Sequence, residues 1–204
     1  MNEIYWLLFV GASLAVIISP GQDMILVMSR GIGQGPMAGV STALGVSTGL
    51  LGHTVLATLG LGALLMASEL AFTVLKFVGV AYLLYLGGRL VLSGEKRLDL
   101  QVNSSRTRSR LFLEGAFSNL SNPKITLFYF AFLPQFFPPT SQQPTFSIFV
   151  LGVTFALMTF VIKGPVGFFA GSLSGWFRSH PRVLGWMFRI SGFALIALGV
   201  RLAF

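Results

Sequence analysis

The sequence predicts an all-α integral membrane protein of six transmembrane helices, built as 3+3 inverted repeats with proline-broken helices one and four. Three observations lead to this prediction. Hydrophobic residues make up 54% of the 204 residues and charged residues only 10%, whereas soluble domains carry about 25% charge. Two apolar segments half a chain apart are each interrupted by a proline beside a charged residue, and the last apolar segments of the two halves resemble each other.

Six apolar segments approach or exceed the length of about 20 residues that a membrane span requires. They cover residues 4–28, 38–66, 70–92, 111–136, 145–172 and 183–203. We therefore expect a single transmembrane domain, with a first repeat at about 1–92, a connector at about 93–110 and a second repeat at about 111–204. The start, Met1-Asn2-Glu3, has no basic region, so the first segment is predicted to be a retained span.

The basic residues predict the orientation. The connector holds Lys96, Arg97, Arg106, Arg108 and Arg110, and the loop after span one adds Arg30. Because short cytoplasmic loops are enriched in Lys and Arg, the connector is predicted to be cytoplasmic and both termini periplasmic. A count of five or seven spans would reverse one terminus. The same clustering accounts for the net charge of +8, and no nucleic-acid partner is expected, since that needs a solvated basic face.

The two proline breaks are the strongest indication of a site. The first contains Pro20 and Asp23, and the second contains Pro123 and Lys124. Proline removes a backbone N–H and clashes with the preceding turn, and carbonyls freed in lipid must be satisfied by protein or water. Each break should face the bundle interior and create a half-helix N-terminus that attracts an anion. Matching breaks are typical of a secondary transporter's binding site; the alternative is a plain proline kink.

The residues at the breaks form the candidate substrate site, which is Gly21, Gln22, Asp23, Asn122 and Lys124. Ionisable groups inside a span are costly and usually functional. Asp23 could hold an ammonium group or a coupling proton, and Lys124 could hold a carboxylate. The alternatives are a structural Asp23–Lys124 ion pair, or Asp23 as the N-cap of the second half-helix.

Other polar residues within the spans have simpler explanations. His53, in the middle of span two, could relay protons with Asp23, because imidazole titrates near neutral pH; the alternative is a hydrogen-bonded interhelical histidine. Basic side chains near span ends, including Lys163, are predicted to snorkel to the interface, and Glu114 is predicted to be solvated. The glycines of spans two and five are predicted to allow close helix packing; they are Gly45, Gly49, Gly52, Gly167, Gly171 and Gly175.

The last spans of the two halves support an internal repeat. With one gap, five residues of span three align with five of span six; these are Lys76, Gly79, Ala81, Gly87 and Arg89, and Arg189, Gly192, Ala194, Gly199 and Arg201. Because each repeat would contain three spans, an odd number, the second repeat must be inverted.

Catalytic and metal-binding signatures are missing from the sequence. It has no cysteine and two histidines, which excludes disulfides and thiolate metal sites and disfavours a histidine metal site. It contains no metalloprotease, serine-hydrolase or Walker A motif. We therefore expect no metal, no cofactor and no enzymatic activity. The alternatives to a secondary transporter with its site at these breaks are an ion or metal exporter and an intramembrane enzyme or assembly factor.

Two motifs resemble a known family. The run from Pro20 to Val27, with Gln34-Gly35 and Ala38-Gly39, is similar to the first repeat of the LysE/RhtB family of amino-acid exporters, and the run from Asn122 to Phe128 is similar to its second signature. The resemblance implies a multi-pass protein of the bacterial inner membrane that exports amino acids or close derivatives by proton antiport. It leaves the oligomeric state open, with a homodimer as one option. Where the family commonly has Pro-Gly-Pro, this chain has Gln22 as the third residue.

Overall fold

The computed structural model describes residues 4–19, 21–67, 69–92, 106–138 and 140–203. Within these ranges every regular element is helical, which confirms the all-α class. The helices are α1 (Trp6–Ile18), α2 (Gln22–Gln34), α3 (Pro36–Ala67), α4 (Glu69–Leu92), α5 (Arg108–Leu120), α6 (Pro123–Phe132), a 3₁₀ helix (Leu133–Phe136), α7 (Pro144–Phe168), α8 (Ala170–Ser179) and α9 (Pro181–Ala203).

The surface and the helix lengths are those of a membrane protein. In the described part of the chain, two helical stretches are long and apolar enough to cross a membrane, Pro36–Leu61 and Pro144–Phe168. A third results if α1 and α2, bent by 53° at their break, are one span. Large apolar side chains such as Leu7, Leu59 and Phe117 are exposed, to an extent that monomeric soluble proteins avoid. The count of six spans stays a prediction.

Glycine and proline set the helix boundaries around α2 and α6. Gly21, in extended conformation, is the N-cap of α2, and Gly35 ends α2 at a positive φ of 92°, where L side chains are disfavoured. Pro36 and Pro123 are the first residues of α3 and α6. This position suits proline because its missing N–H has no intrahelical partner there.

One end of the bundle is closed by aromatic rings. Phe9 of α1 packs against Phe136 with ring centroids 5.1 Å apart, and Phe132 lies 4.6 Å from both Phe128 and Phe136. All four rings are buried. The backbone N–H of Tyr5 donates to the carbonyl of Phe136 at 2.8 Å. The start of α1 is therefore joined to the 3₁₀ helix that follows α6 by a contact between buried rings.

Glycines bring the central helices into backbone contact. A Cβ on Gly39 would overlap the Gly167 backbone, where α3 meets α7, and a Cβ on Gly45 would overlap the Phe112 backbone, where α3 meets α5. A Cβ on Gly49 would lie 2.8 Å from the backbone carbonyl of Ala116 in α5, and one on Gly52 would lie 2.8 Å from the side-chain end of Leu120. These contacts confirm the packing role predicted for Gly45, Gly49, Gly52 and Gly167. The prediction was wrong for Gly171, which has nothing within 4 Å and lies in α8 rather than in α7; the surroundings of Gly175 lie outside the described residues.

Candidate functional site

The starts of α2 and α6 lie against each other. The side-chain amide of Asn122 donates to Oε1 of Gln22 at 3.2 Å, although the two residues belong to different halves of the chain. The carbonyl of Asn122 also accepts from the backbone N–H groups of Ile125 and Thr126 in the first turn of α6. Pro20 lies outside the described residues. The two breaks thus meet at one place between the halves of the chain.

Asp23 lies in the first turn of α2, where the helix dipole favours a negative charge. It is 7% exposed. Its Oδ2 accepts from Nδ2 of Asn119 at 2.9 Å and from Nζ of Lys163 at 3.3 Å. The alternative role of Asp23 as N-cap is wrong, since Gly21 holds that position. Asp23 is instead one half of a buried ion pair between α2 and α7.

Lys163 is the partner that the sequence analysis missed. It was predicted to snorkel, but it is only 8% exposed and pairs with Asp23. The prediction was wrong because depth along a helix does not say which way a side chain points. A buried ammonium group is tolerated only beside an opposite charge, so Lys163 and Asp23 explain each other's burial. The signal available in the sequence was an ionisable residue within an apolar run.

Lys124 is the partner that the sequence predicts for Asp23. Its backbone belongs to the first turn of α6, but its side chain, like that of Pro123, lies outside the described residues. The proposed Asp23–Lys124 pair is therefore not part of the described site, in which Lys163 is the cation beside Asp23.

Asn119 joins the Asp23 pair to His53. Asn119 is fully buried near the end of α5, and its backbone carbonyl lies 3.1 Å from Nε2 of His53. Because a carbonyl only accepts, Nε2 donates, and Nδ1 faces the Thr126 hydroxyl at 3.4 Å. His53 has the hydrogen bonds of the interhelical alternative, linking α3 to α5 and α6; its role as a proton relay stays a prediction. Asn119, one turn before Asn122, was not predicted.

Two acceptor atoms at the centre of this network have no donor. Oδ1 of Asp23 and Oδ1 of Asn119 are buried and find no hydrogen-bond partner among the described residues. A buried acceptor without a donor carries a desolvation cost of about 1–3 kcal/mol. A ligand or proton that supplies donors here would recover that cost.

A cavity of about 190 Å³ opens beside the ion pair. Asp23 and Lys163 lie at its polar side, and apolar side chains from several helices form the rest of its wall. Other residues on the polar side include Gly21, Gln22, Asn122 and Thr159. Four of the five predicted substrate-site residues thus line one cavity; the side chain of the fifth, Lys124, lies outside the described residues. Thr159, one turn before Lys163, was not predicted.

A second ionic cluster joins α2 to α5. Glu114 accepts from Arg30 at 3.2 Å, pairs with Arg106 and lies 3.6 Å from Arg110. Glu114, which was predicted to be solvated, has a side chain that is 25% exposed and also contacts three arginines, which was not predicted. Arg30 is not in a loop, because α2 continues to Gln34. Across the described ranges no three His, Cys, Asp or Glu side chains gather as metal ligands would.

Comparison with known proteins gives consistent matches. The model of the LysE type translocator family matches residues 14–204. The chain is 33% identical over 201 residues to a homoserine/homoserine lactone efflux protein of Salmonella typhimurium, covering 98% of this chain and 96% of that protein. It is 26% identical over 200 residues to a leucine efflux protein of an Enterobacter species, covering 98% and 94%. No solved structure matches the chain.

Proposed function

The chain belongs to the LysE type translocator family, and we propose that it is a secondary transporter that exports amino acids or close derivatives by proton antiport. Relatives of the chain are named as efflux proteins for homoserine and homoserine lactone and for leucine. The observation that carries the proposal is the buried Asp23–Lys163 pair, which lies at the start of a broken helix and borders a cavity.

A zwitterionic amino acid matches the charges around this cavity. Its ammonium group would donate to Asp23, whose buried Oδ1 has no donor among the described residues. Its carboxylate would bind Lys163 and the N-terminus of α6, whose first turn holds no acidic residue. Lys124, in that same turn, keeps its predicted role as a second carboxylate contact. Gly21 would allow the substrate to approach the backbone closely.

The carboxylate of Asp23 offers a route to antiport. Asp23 can neutralise its charge with an ammonium group or with a proton, and the two compete for the same oxygens. Substrate leaving toward the periplasm would be replaced by a proton that moves inward. Asn119 contacts both His53 and Asp23, so His53 stays the candidate proton relay near Asp23, although the amide groups of Asn119 cannot themselves pass a proton between the two.

The proposed architecture is six spans in 3+3 inverted repeats. Glycine contacts support it. The same shift in residue number relates Gly39 to Gly152 and Thr54 to Gly167. When the two halves are exchanged by this shift, the Gly39–Gly167 contact becomes the Gly152–Thr54 contact, and both contacts are present. The α4–α9 interface behaves alike. An added Cβ on Gly87 would lie 2.7 Å from Ile196, and one on Gly199 would lie 3.0 Å from Leu84. That pairing follows the predicted alignment of Gly87 with Gly199.

Alternating access would then depend on two closures between the halves. At the start of α1 the closure is the aromatic contact of Phe9 with Phe132 and Phe136. Between α2 and α5 it is the ionic cluster of Arg30 and Glu114. Under the pseudo-symmetry α1 corresponds to α5 and α2 to α6, so the two closures occupy equivalent places at opposite ends of the cavity.

We place the protein in the bacterial inner membrane as a multi-pass protein, with the connector cytoplasmic and both termini periplasmic. Alkaline phosphatase is active only in the periplasm, so a fusion within the connector should be inactive and a fusion after residue 204 active. Activity from the connector fusion would contradict this orientation.

Transport into inside-out membrane vesicles tests the proposed function. Vesicles with an acidic lumen should accumulate labelled leucine or homoserine when they contain the protein, and a protonophore should abolish the accumulation. Vesicles without the protein are the control. Accumulation that survives the protonophore would exclude proton antiport. If no amino acid is transported, accumulation of a metal ion would indicate an ion exporter. If no solute is transported at all, the protein would be an enzyme or assembly factor.

A further inference from the structure

We propose that the cavity accepts amino acids with an uncharged, mainly apolar side chain and rejects those with a basic or acidic side chain. The inference rests on the proposed function, since it assumes that the cavity binds an amino acid. It narrows the substrate to a chemical class that the family assignment leaves open.

The charge of the cavity is the first step. Asp23 and Lys163 are the charged side chains that line it in the described part of the chain, and they carry opposite charges. The ammonium and carboxylate groups common to all amino acids match one of these charges each. A charged substrate side chain would then find no counter-charge left in the described wall, and the proposed function assigns Lys124, in the first turn of α6, to the same substrate carboxylate as Lys163.

Apart from Tyr82, the wall that remains for the substrate side chain is apolar. Six helices each contribute to it, with Val16, Leu50, Leu86, Ile125, Phe155 and Leu195. An apolar side chain gains free energy when it moves from water to such a wall. A charge gains nothing there and loses its hydration. The wall therefore discriminates against charged side chains.

The volume of the cavity suits a single amino acid. About 190 Å³ corresponds to roughly six water molecules, because each takes about 30 Å³ of liquid volume. A free amino acid with a medium-sized side chain is of this order, whereas a dipeptide or a nucleotide is much larger.

A competition assay on the full-length protein tests the inference. Transport of labelled leucine into inside-out vesicles is measured against unlabelled leucine, methionine, lysine and glutamate. Methionine should compete nearly as well as leucine. Lysine and glutamate should need at least about ten times the concentration, the effect of losing about 1.4 kcal/mol. Lysine or glutamate competing as well as leucine would overturn the inference while leaving amino-acid export standing. No transport of any amino acid would overturn both proposals.

A variant pair on α4 sharpens the test. Leu86→Glu places a carboxylate in the apolar wall, whereas Leu92→Glu, the control, places one at a position that is 84% exposed at the end of the same helix. Leu86→Glu should improve competition by lysine relative to leucine by about ten-fold, and Leu92→Glu should leave the ratio unchanged. An equal ratio in both variants would overturn the assignment of this wall to the substrate side chain. If Leu86→Glu does not fold, the competition panel on the unsubstituted protein still decides.

Discussion

Replacing Asp23 with asparagine is expected to lower amino-acid export by about 10- to 150-fold, because a charge-assisted contact contributes about 1.5–3 kcal/mol. Asparagine keeps the size of the side chain but cannot balance an ammonium group or carry a coupling proton. The measurement is accumulation of labelled leucine in inside-out vesicles, normalised to the amount of folded protein in the membrane. Arg189→Gln is the control, since Arg189 is exposed and does not line the cavity.

The Asp23–Lys163 pair makes a second measurement necessary. Asp23→Asn leaves Lys163 as an unpaired buried charge, and breaking such a pair costs about 3–5 kcal/mol of stability. Folded yield should therefore fall in each single variant, Asp23→Asn and Lys163→Gln, and recover in the double variant. If the pair takes part in transport, export stays low in the double variant although the folded yield recovers. Export that returns together with the yield would reduce the pair to a structural role.

Gly39→Ala is expected to destabilise the folded protein by about 1–3 kcal/mol, the usual cost of an overpacked contact. The added methyl group would overlap backbone atoms of Gly167, and a backbone cannot rotate away as a side chain can. The measurement is the melting temperature of the purified protein in detergent, together with the yield of monodisperse material.

Gly60→Ala in the same helix is the matched control. Gly60 has nothing within 4 Å of the position that a Cβ would take. Alanine is a better helix former than glycine by about 0.5–1 kcal/mol, so this variant should be as stable as the original protein or more so. If Gly39→Ala melts no lower than Gly60→Ala, the close approach of α3 to α7 is wrong.

Properties that depend on neighbours along the chain could be predicted from the sequence. Hydrophobicity indicated the helices and the membrane class, and the helices begin and end near the predicted segments, as α3 (Pro36–Ala67) and α9 (Pro181–Ala203) illustrate. Proline and glycine act on the backbone beside them, so the interruptions before α2 and α6 were predictable as well. Asp23 and Asn122 followed from these interruptions and line the cavity.

The partners of these residues were decided by the tertiary structure alone. Lys163 lies 140 residues from Asp23 along the chain, and nothing local distinguishes a lysine that snorkels from one that turns inward. The same holds for Asn119 beneath Asp23 and for Glu114 among its arginines. The direction in which a helix presents a side chain depends on its rotation about its own axis. Glycine contacts between distant helices set that rotation here. The position of a charged residue could therefore be predicted from the sequence, whereas the residue that pairs with it was determined by the packing of the helices.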